Sequence, residues 1–129
     1  MYRITKEFHF SASHQLTGLE DNHPCSRLHG HNYVVELTLA KQHLNDVGFV
    51  VDYRRLERFK RFIDDELDHR HLNDVVLFNP TSERLAKWLY DKAVQLLEHG
   101  ALIESVTVKE TEKTSATYYG GQQVWKTQS

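Results

Sequence analysis

His29 and His31 stand either side of Gly30 at the head of an alternating run, and a third imidazole, His14, follows an earlier alternating run. If His29 and His31 open a β-strand, its two-residue period aims both rings to one side. Pairing the two runs as a hairpin brings His14 within reach of them. The chain is then committed to two antiparallel strands with a long connection, and that connection carries Cys25-Ser26-Arg27-Leu28. Gly30 is read as leaving room for an ion or a substrate. Three neutral imidazoles and a water make an open zinc site, the arrangement that zinc catalysis needs and structural zinc avoids. Iron and nickel also accept imidazole, so the pattern specifies a metal more firmly than it specifies which metal.

The remaining elements follow from periodicity. Tyr2 to Phe10 alternates, with Ile4, Phe8 and Phe10 on one side, and reads as a first strand. Asp21-Asn22-His23-Pro24 breaks the pattern, and His31 to Ala40 alternates again as a second strand. After a turn around Asn45–Gly48, Asp52 is placed to cap a helix in which Leu56, Phe59, Phe62, Ile63 and Leu67 recur at helical spacing. Asp68 to Asn73 ends it. A second helix begins at Asn79-Pro80-Thr81-Ser82-Glu83, where Thr81 or Ser82 can cap and Glu83 suits the positive end of the helix dipole. Leu85, Trp88, Leu89, Ala93, Leu96 and Leu97 form its apolar stripe, and Gly100 is expected to stop it. Leu102 to Glu110 alternates once more, with Leu102, Glu104, Val106, Val108 and Glu110 on one side. A last strand over Ser115–Tyr119 turns away at Gly120-Gly121. The order is ββααββ, an α+β domain spanning residues 1–129 in which two helices back one face of an antiparallel sheet. Its open edges favour association with further copies.

Composition narrows the partners. The formal net charge of -2 over 129 residues carries no basic excess, so a small-molecule ligand is expected and neither nucleic acid nor a membrane surface. No apolar stretch approaches the roughly 20 residues of a membrane span. The start, Met1-Tyr-Arg-Ile-Thr-Lys-Glu, lacks the apolar core of a secretion signal. A single cysteine cannot form an internal disulfide, and a reducing cytoplasmic setting follows.

Several side chains carry chemistry. A loop thiol beside a cation acquires thiolate character, which makes Cys25 a candidate base or nucleophile. As a fourth ligand it would instead close the metal site. Asp68 beside His69 can orient the imidazole and stabilise its protonated form, with His71 competing in the same turn. Glu110 puts an acid on the apolar side of its strand, a costly position unless a ligand or a basic side chain answers it. A bicyclic ligand bearing N–H donors would do so. His9, His23, His43 and His99 are assigned to the surface or to ordinary hydrogen bonds.

Five segments, Phe10-Ser-Ala-Ser-His14, Cys25-Ser-Arg-Leu-His29-Gly-His31, Leu67-Asp-His69, Pro80-Thr-Ser-Glu83 and Val108-Lys-Glu110-Thr, together resemble the 6-pyruvoyltetrahydropterin synthase family over nearly the whole chain. Within it, the three-residue gap between Cys25 and His29 is similar to the 6-carboxy-5,6,7,8-tetrahydropterin synthase branch of queuosine biosynthesis. The resemblance implies a tunnelling fold, in which sheets of several subunits, as a trimer or dimer of trimers, join into a barrel with active sites at their interfaces. It implies that His14, His29 and His31 hold zinc, that Cys25 takes a side-chain proton, that Asp68 and His69 form a relay and that Glu110 anchors the pterin ring. Thr81 and Ser82 are implied to add backbone contacts to that ring, and the triphosphate is left to Arg27, which is near the site, or to a neighbouring subunit. The implied reaction converts 7,8-dihydroneopterin triphosphate to 6-carboxytetrahydropterin, acetaldehyde and triphosphate. After Glu110-Thr111 the chain departs from many relatives by reading Glu112-Lys-Thr-Ser-Ala. Two other readings share these residues: a synthase that eliminates triphosphate without losing carbon, and a non-catalytic module that binds pterin or metal.

Overall fold

The computed structural model describes residues 1–120; Gly121, half of the expected last turn, lies outside the described residues. Five strands, β1 (Tyr2–His14), β2 (His29–Lys41), β3 (Arg70–His71), β4 (Ile103–Thr111) and β5 (Thr114–Tyr119), form one sheet in the order β3-β1-β2-β4-β5. All neighbours are antiparallel except β1 with β3. Three helices, α1 (Glu57–Glu66), α2 (Leu72–Val75) and α3 (Ser82–Leu96), complete the expected α+β arrangement. The order ββααββ therefore gains β3, inside the turn read as a helix end, and α2, which starts within that turn and runs past it. A two-residue strand and a four-residue helix are too short to display a period.

β1 runs four residues beyond the expected Phe10 because Ala12 and His14 keep the alternation and pair with His31 and His29. Its even-numbered residues from Phe8 onward face the covered side, together with Tyr33, Val35, Leu37 and Leu39 of β2. In β4 the pairing shifts opposite Thr38 and Leu39, so Ile103, rather than the expected Leu102, turns into the core at 3% exposure. Such a shift is the signature of a β-bulge, which resets the phase of side-chain alternation.

The helices cover one face through large apolar side chains. Phe59 of α1 meets Phe8 edge-on at 5.1 Å, and Phe10 stacks on Tyr33 at 4.7 Å. Ile63, Leu85, Ala86 and Leu89 are fully buried. Trp88 and Leu96, expected in the buried stripe, are only partly covered. Asp52 caps not α1 itself but the 3-10 turn Tyr53–Leu56 leading into it, accepting the Arg54 N–H at 2.9 Å. Thr81 caps α3 by accepting the Arg84 N–H at 3.2 Å. That helix ends at Leu96 on an extended Leu97 rather than on a glycine. Gly100 matters for another reason: a Cβ there would lie 2.6 Å from the Val94 carbonyl oxygen.

The other face of the sheet is polar. Arg3 pairs with Glu104, Thr5 with Thr38, Ser11 with Asn32 and Thr107 with Thr117. This is the pattern of an antiparallel sheet packed on one side only.

Candidate active site

Because β1 and β2 pair in register, His14 stands opposite His29 and Ala12 opposite His31, and all three rings project from the covered face. Their centroids are 4.4, 5.1 and 4.9 Å apart, and their candidate ligand atoms all lie within 4.8 Å of one another. His14 Nδ1 lies 3.0 Å from the Pro80 carbonyl oxygen, and His29 Nδ1 lies 2.6 Å from that of Arg27. A carbonyl oxygen only accepts, so each Nδ1 carries the proton and each Nε2 presents a lone pair. Those two Nε2 atoms face each other at 2.9 Å. His31 Nε2 is buried with no hydrogen-bond partner among the described residues. Nitrogen lone pairs aimed at one another in a buried site are unfavourable until a cation sits between them. Burial also holds His14 below its ordinary imidazole range, favouring the neutral, ligating form. The donor set, three imidazoles with an open fourth position, fits zinc.

Two supports of this triad were not anticipated. The Pro80 carbonyl orients His14, and the buried Tyr33 hydroxyl lies 3.2 Å from the same Nδ1. Alternation along β2 could have placed Tyr33 two residues beyond His31 on the same face, whereas a backbone carbonyl leaves no mark in a sequence. Gly30 contradicts its expected role. By the same alternation it faces the open side, away from the rings, and a Cβ there would make only an ordinary 3.5 Å contact with Ala12 O.

Cys25 sits in the short turn Pro24–Ser26 at half-buried exposure. It is not part of the metal-binding group, so the alternative of a four-ligand sealed site does not form among the described residues. His23, assigned to the surface or to ordinary hydrogen bonds, is exposed and caps this turn: its Nδ1 accepts the Cys25 N–H at 3.0 Å. Arg27 contributes its carbonyl to His29, while its side chain is exposed.

Glu110 follows Val106 and Val108 on the covered face, as the alternation predicts, and its Oε2 is 3.9 Å from His31 Nε2. It lines a cavity of about 390 Å³ with Ser82, Glu83, Thr114 and Ala116. Ser82 is 9% exposed, and its Oγ has no partner among the described residues. A carboxylate and an unspent hydroxyl therefore share one recess beside the histidines. The Thr81 hydroxyl is already engaged as the α3 cap.

Asp68 pairs with His69 rather than His71. Its Oδ2 is 2.9 Å from His69 Nδ1, and its Oδ1 accepts the Ser11 N–H at 2.8 Å. The Ser11 N–H, followed by the His69 ring, holds the Asp68 carboxyl below its usual range. His71 Nδ1 instead meets Ser13 Oγ at 2.9 Å. His69 adopts a left-handed φ of 59°, fixed by its N–H donating to the Ser11 carbonyl at 2.6 Å. Strained backbone of this kind at a non-glycine residue clusters at functional sites. The His69 ring is largely exposed and shares a depression with Ser11, Ser13, Gly30 and Asn32, which Ala12 and His31 also border. By alternation Ser11, Ser13, Gly30 and Asn32 face the side opposite the three histidine rings, and His69, beside them, opens to that side.

Fold and site agree with the relationships of the chain. Residues 3–121 match the family model described as 6-pyruvoyl tetrahydropterin synthase. The chain is 36% identical over 125 residues to a 6-carboxy-5,6,7,8-tetrahydropterin synthase of Synechocystis sp. (strain ATCC 27184 / PCC 6803 / Kazusa), covering 92% of this chain and 94% of the relative. A protein of the same name from Bacillus subtilis (strain 168) is 34% identical over 127 residues, covering 91% of this chain and 84% of the relative. The solved structure of Caenorhabditis elegans 6-pyruvoyl tetrahydropterin synthase superposes with a TM-score of 0.83 at 29% identity, covering 92% of this chain and 95% of that one. The chain belongs to the 6-pyruvoyl tetrahydropterin synthase family.

Proposed function

We propose that this protein is a zinc-dependent 6-carboxy-5,6,7,8-tetrahydropterin synthase, a carbon–carbon lyase of queuosine biosynthesis acting on 7,8-dihydroneopterin triphosphate. The observation that carries the reading is the convergence of three imidazole nitrogens beside a recess holding Glu110 and the unspent Ser82 hydroxyl. Relatives named for this activity at 34–36% identity, together with the three-residue gap between Cys25 and His29, favour the carboxy-forming branch.

In this reading His14, His29 and His31 hold zinc, which supplies Lewis-acid polarisation of the substrate's side-chain oxygens when bound. Glu110 accepts the ring N–H donors of the pterin, and Ser82 fills a remaining polar position of the ring. Cys25, outside the group of three histidines, removes a side-chain proton as thiolate. His69, oriented by Asp68, returns a proton from the opposite direction. Elimination of triphosphate, followed by cleavage of a side-chain carbon–carbon bond with uptake of one water molecule, yields 6-carboxytetrahydropterin, acetaldehyde and triphosphate. Arg27, at the edge of the site, is assigned to the triphosphate. The thiol requires a reducing, cytoplasmic setting to stay active.

Because His69 lies on the open face and the metal ligands on the covered face, the relay that serves one triad comes from another subunit. The working enzyme is then a homo-oligomer, built as a trimer or dimer of trimers of this single domain, with its catalytic centres at the junctions. Incubating the zinc-loaded protein with 7,8-dihydroneopterin triphosphate and identifying the products by mass spectrometry tests the proposal. Acetaldehyde and a 6-carboxy product are expected. Triphosphate release with all carbons retained would transfer the protein to the pyruvoyl-forming branch, and absence of turnover would leave a pterin- or metal-binding module.

A further inference from the structure

We propose that Asn73 and Asn79, two side chains outside the chemistry, are positioning residues that hold the Cys25 turn in place. This rests on the reading of Cys25 as the base. β3 stops at His71, but its pairing with β1 does not end there. The Asn73 carboxamide takes over, accepting the Gln15 N–H at 2.9 Å and donating to the Gln15 carbonyl at 2.8 Å. Two residues further, Asn79 repeats the motif, accepting the Thr17 N–H at 2.9 Å and donating to the Thr17 carbonyl at 3.0 Å. Each carboxamide thus presents the acceptor and donor that a neighbouring strand's peptides would have presented.

The consequence lies on the other edge of this segment. In extended chain, successive residues turn their N–H and C=O groups to opposite sides. With residues 15 and 17 committed to the asparagines, residue 16 points the other way, and the Leu16 N–H donates to the Cys25 carbonyl at 3.1 Å. The Gln15 side chain adds a bond from its Nε2 to the Ser26 carbonyl at 2.9 Å. The thiol-bearing turn is therefore pinned to residues 15–16, and these are pinned to α2 and to the entry of α3. Among the described residues, neither asparagine side chain hydrogen-bonds to His14, His29, His31 or Cys25.

Asn73→Ala and Asn79→Ala, each in the full-length zinc-loaded protein, test the assignment. Expected is a fall in kcat of about tenfold or more from a displaced catalytic group, with KM and zinc content unchanged. Hydrogen exchange of the Leu16 amide should accelerate about tenfold, the measure of one lost hydrogen bond, while the Val35 and Val108 amides keep their protection. Asn79→Asp should be at least as damaging as the alanine, because its second carboxylate oxygen faces the Thr17 carbonyl; a side chain that only filled space would show the reverse order. An unchanged Leu16 exchange rate, an unchanged kcat, loss of zinc, or equal loosening of Val35 and Val108 would each overturn the assignment. Should one alanine variant fail to fold, the other carries the same test. If the wild-type protein does not turn over the pterin triphosphate, the proposed reaction fails, while Leu16 exchange still decides whether the asparagines hold the turn.

Discussion

Cys25 stands apart from the group of nitrogen atoms suited to zinc, and that separation makes its replacement informative. Cys25→Ala should lower kcat by about 100- to 10,000-fold, the scale of a lost general base, with zinc retained in metal analysis. Zinc lost together with activity would make the sulfur a ligand instead. Glu110→Gln should weaken pterin binding by about 1.5–3 kcal/mol, the worth of a hydrogen bond to a charged group, read by titration calorimetry. Unchanged affinity would remove Glu110 from the ring site. Asp68 adds a pH signature. Its folded-state carboxyl lies below the ordinary range, so its stabilising effect is complete above the unfolded value of about 3.9 and is lost as pH falls through the lower, folded one. Asp68→Asn should therefore flatten the acid limb of stability against pH in urea titrations, and an unaltered limb would contradict the pairing with Ser11 and His69.

At the level of elements, α3 offers the clearest test. The Thr81 hydroxyl is spent on the Arg84 N–H, so Thr81→Ala should cost about 1 kcal/mol of stability by urea unfolding. A larger change in substrate KM than in stability would show that Thr81 does more than cap. The sequence foretells the elements whose side chains repeat. β1 and β2 are legible from alternation, and their antiparallel register then brings His14, His29 and His31 together, so this cluster, which could hold a metal, is foreseeable. Thr81 and Glu110 follow from the same kind of pattern. What escaped reading lacks a period. β3 spans two residues, the bulge in β4 moves Ile103 into the place expected for Leu102, and the left-handed backbone at His69 is enforced by Ser11, a residue 58 positions away in sequence. Gly30 departs from the role its neighbours' chemistry suggests, because strand geometry assigns it to the other face.

For the whole molecule, the two faces of the sheet divide the proposed machinery. Cys25→Ala and His69→Ala proteins should each be inactive alone, yet regain activity when unfolded together and refolded as a mixture. In such hybrids, some junctions combine the intact thiol of one subunit with the intact imidazole of another. Mixtures that stay silent would require thiol and imidazole to act within one chain. The open, polar face with its Arg3–Glu104 and Thr107–Thr117 pairs adds little apolar surface of its own, which leaves subunit joining to the sheet edges and to groups around the site.

The placement of His69 behind the sheet has a further consequence, one of geometry and counting. A donor surface on one side of each subunit and an acceptor surface on the other generate head-to-tail contacts, and only a closed ring leaves none of them unsatisfied. In the proposed assembly, a ring lets every chain both lend and receive a relay, so complete centres equal chains in number, whereas an open row wastes one at its end. Dilution that breaks the ring should then lower the rate per chain before any chain unfolds.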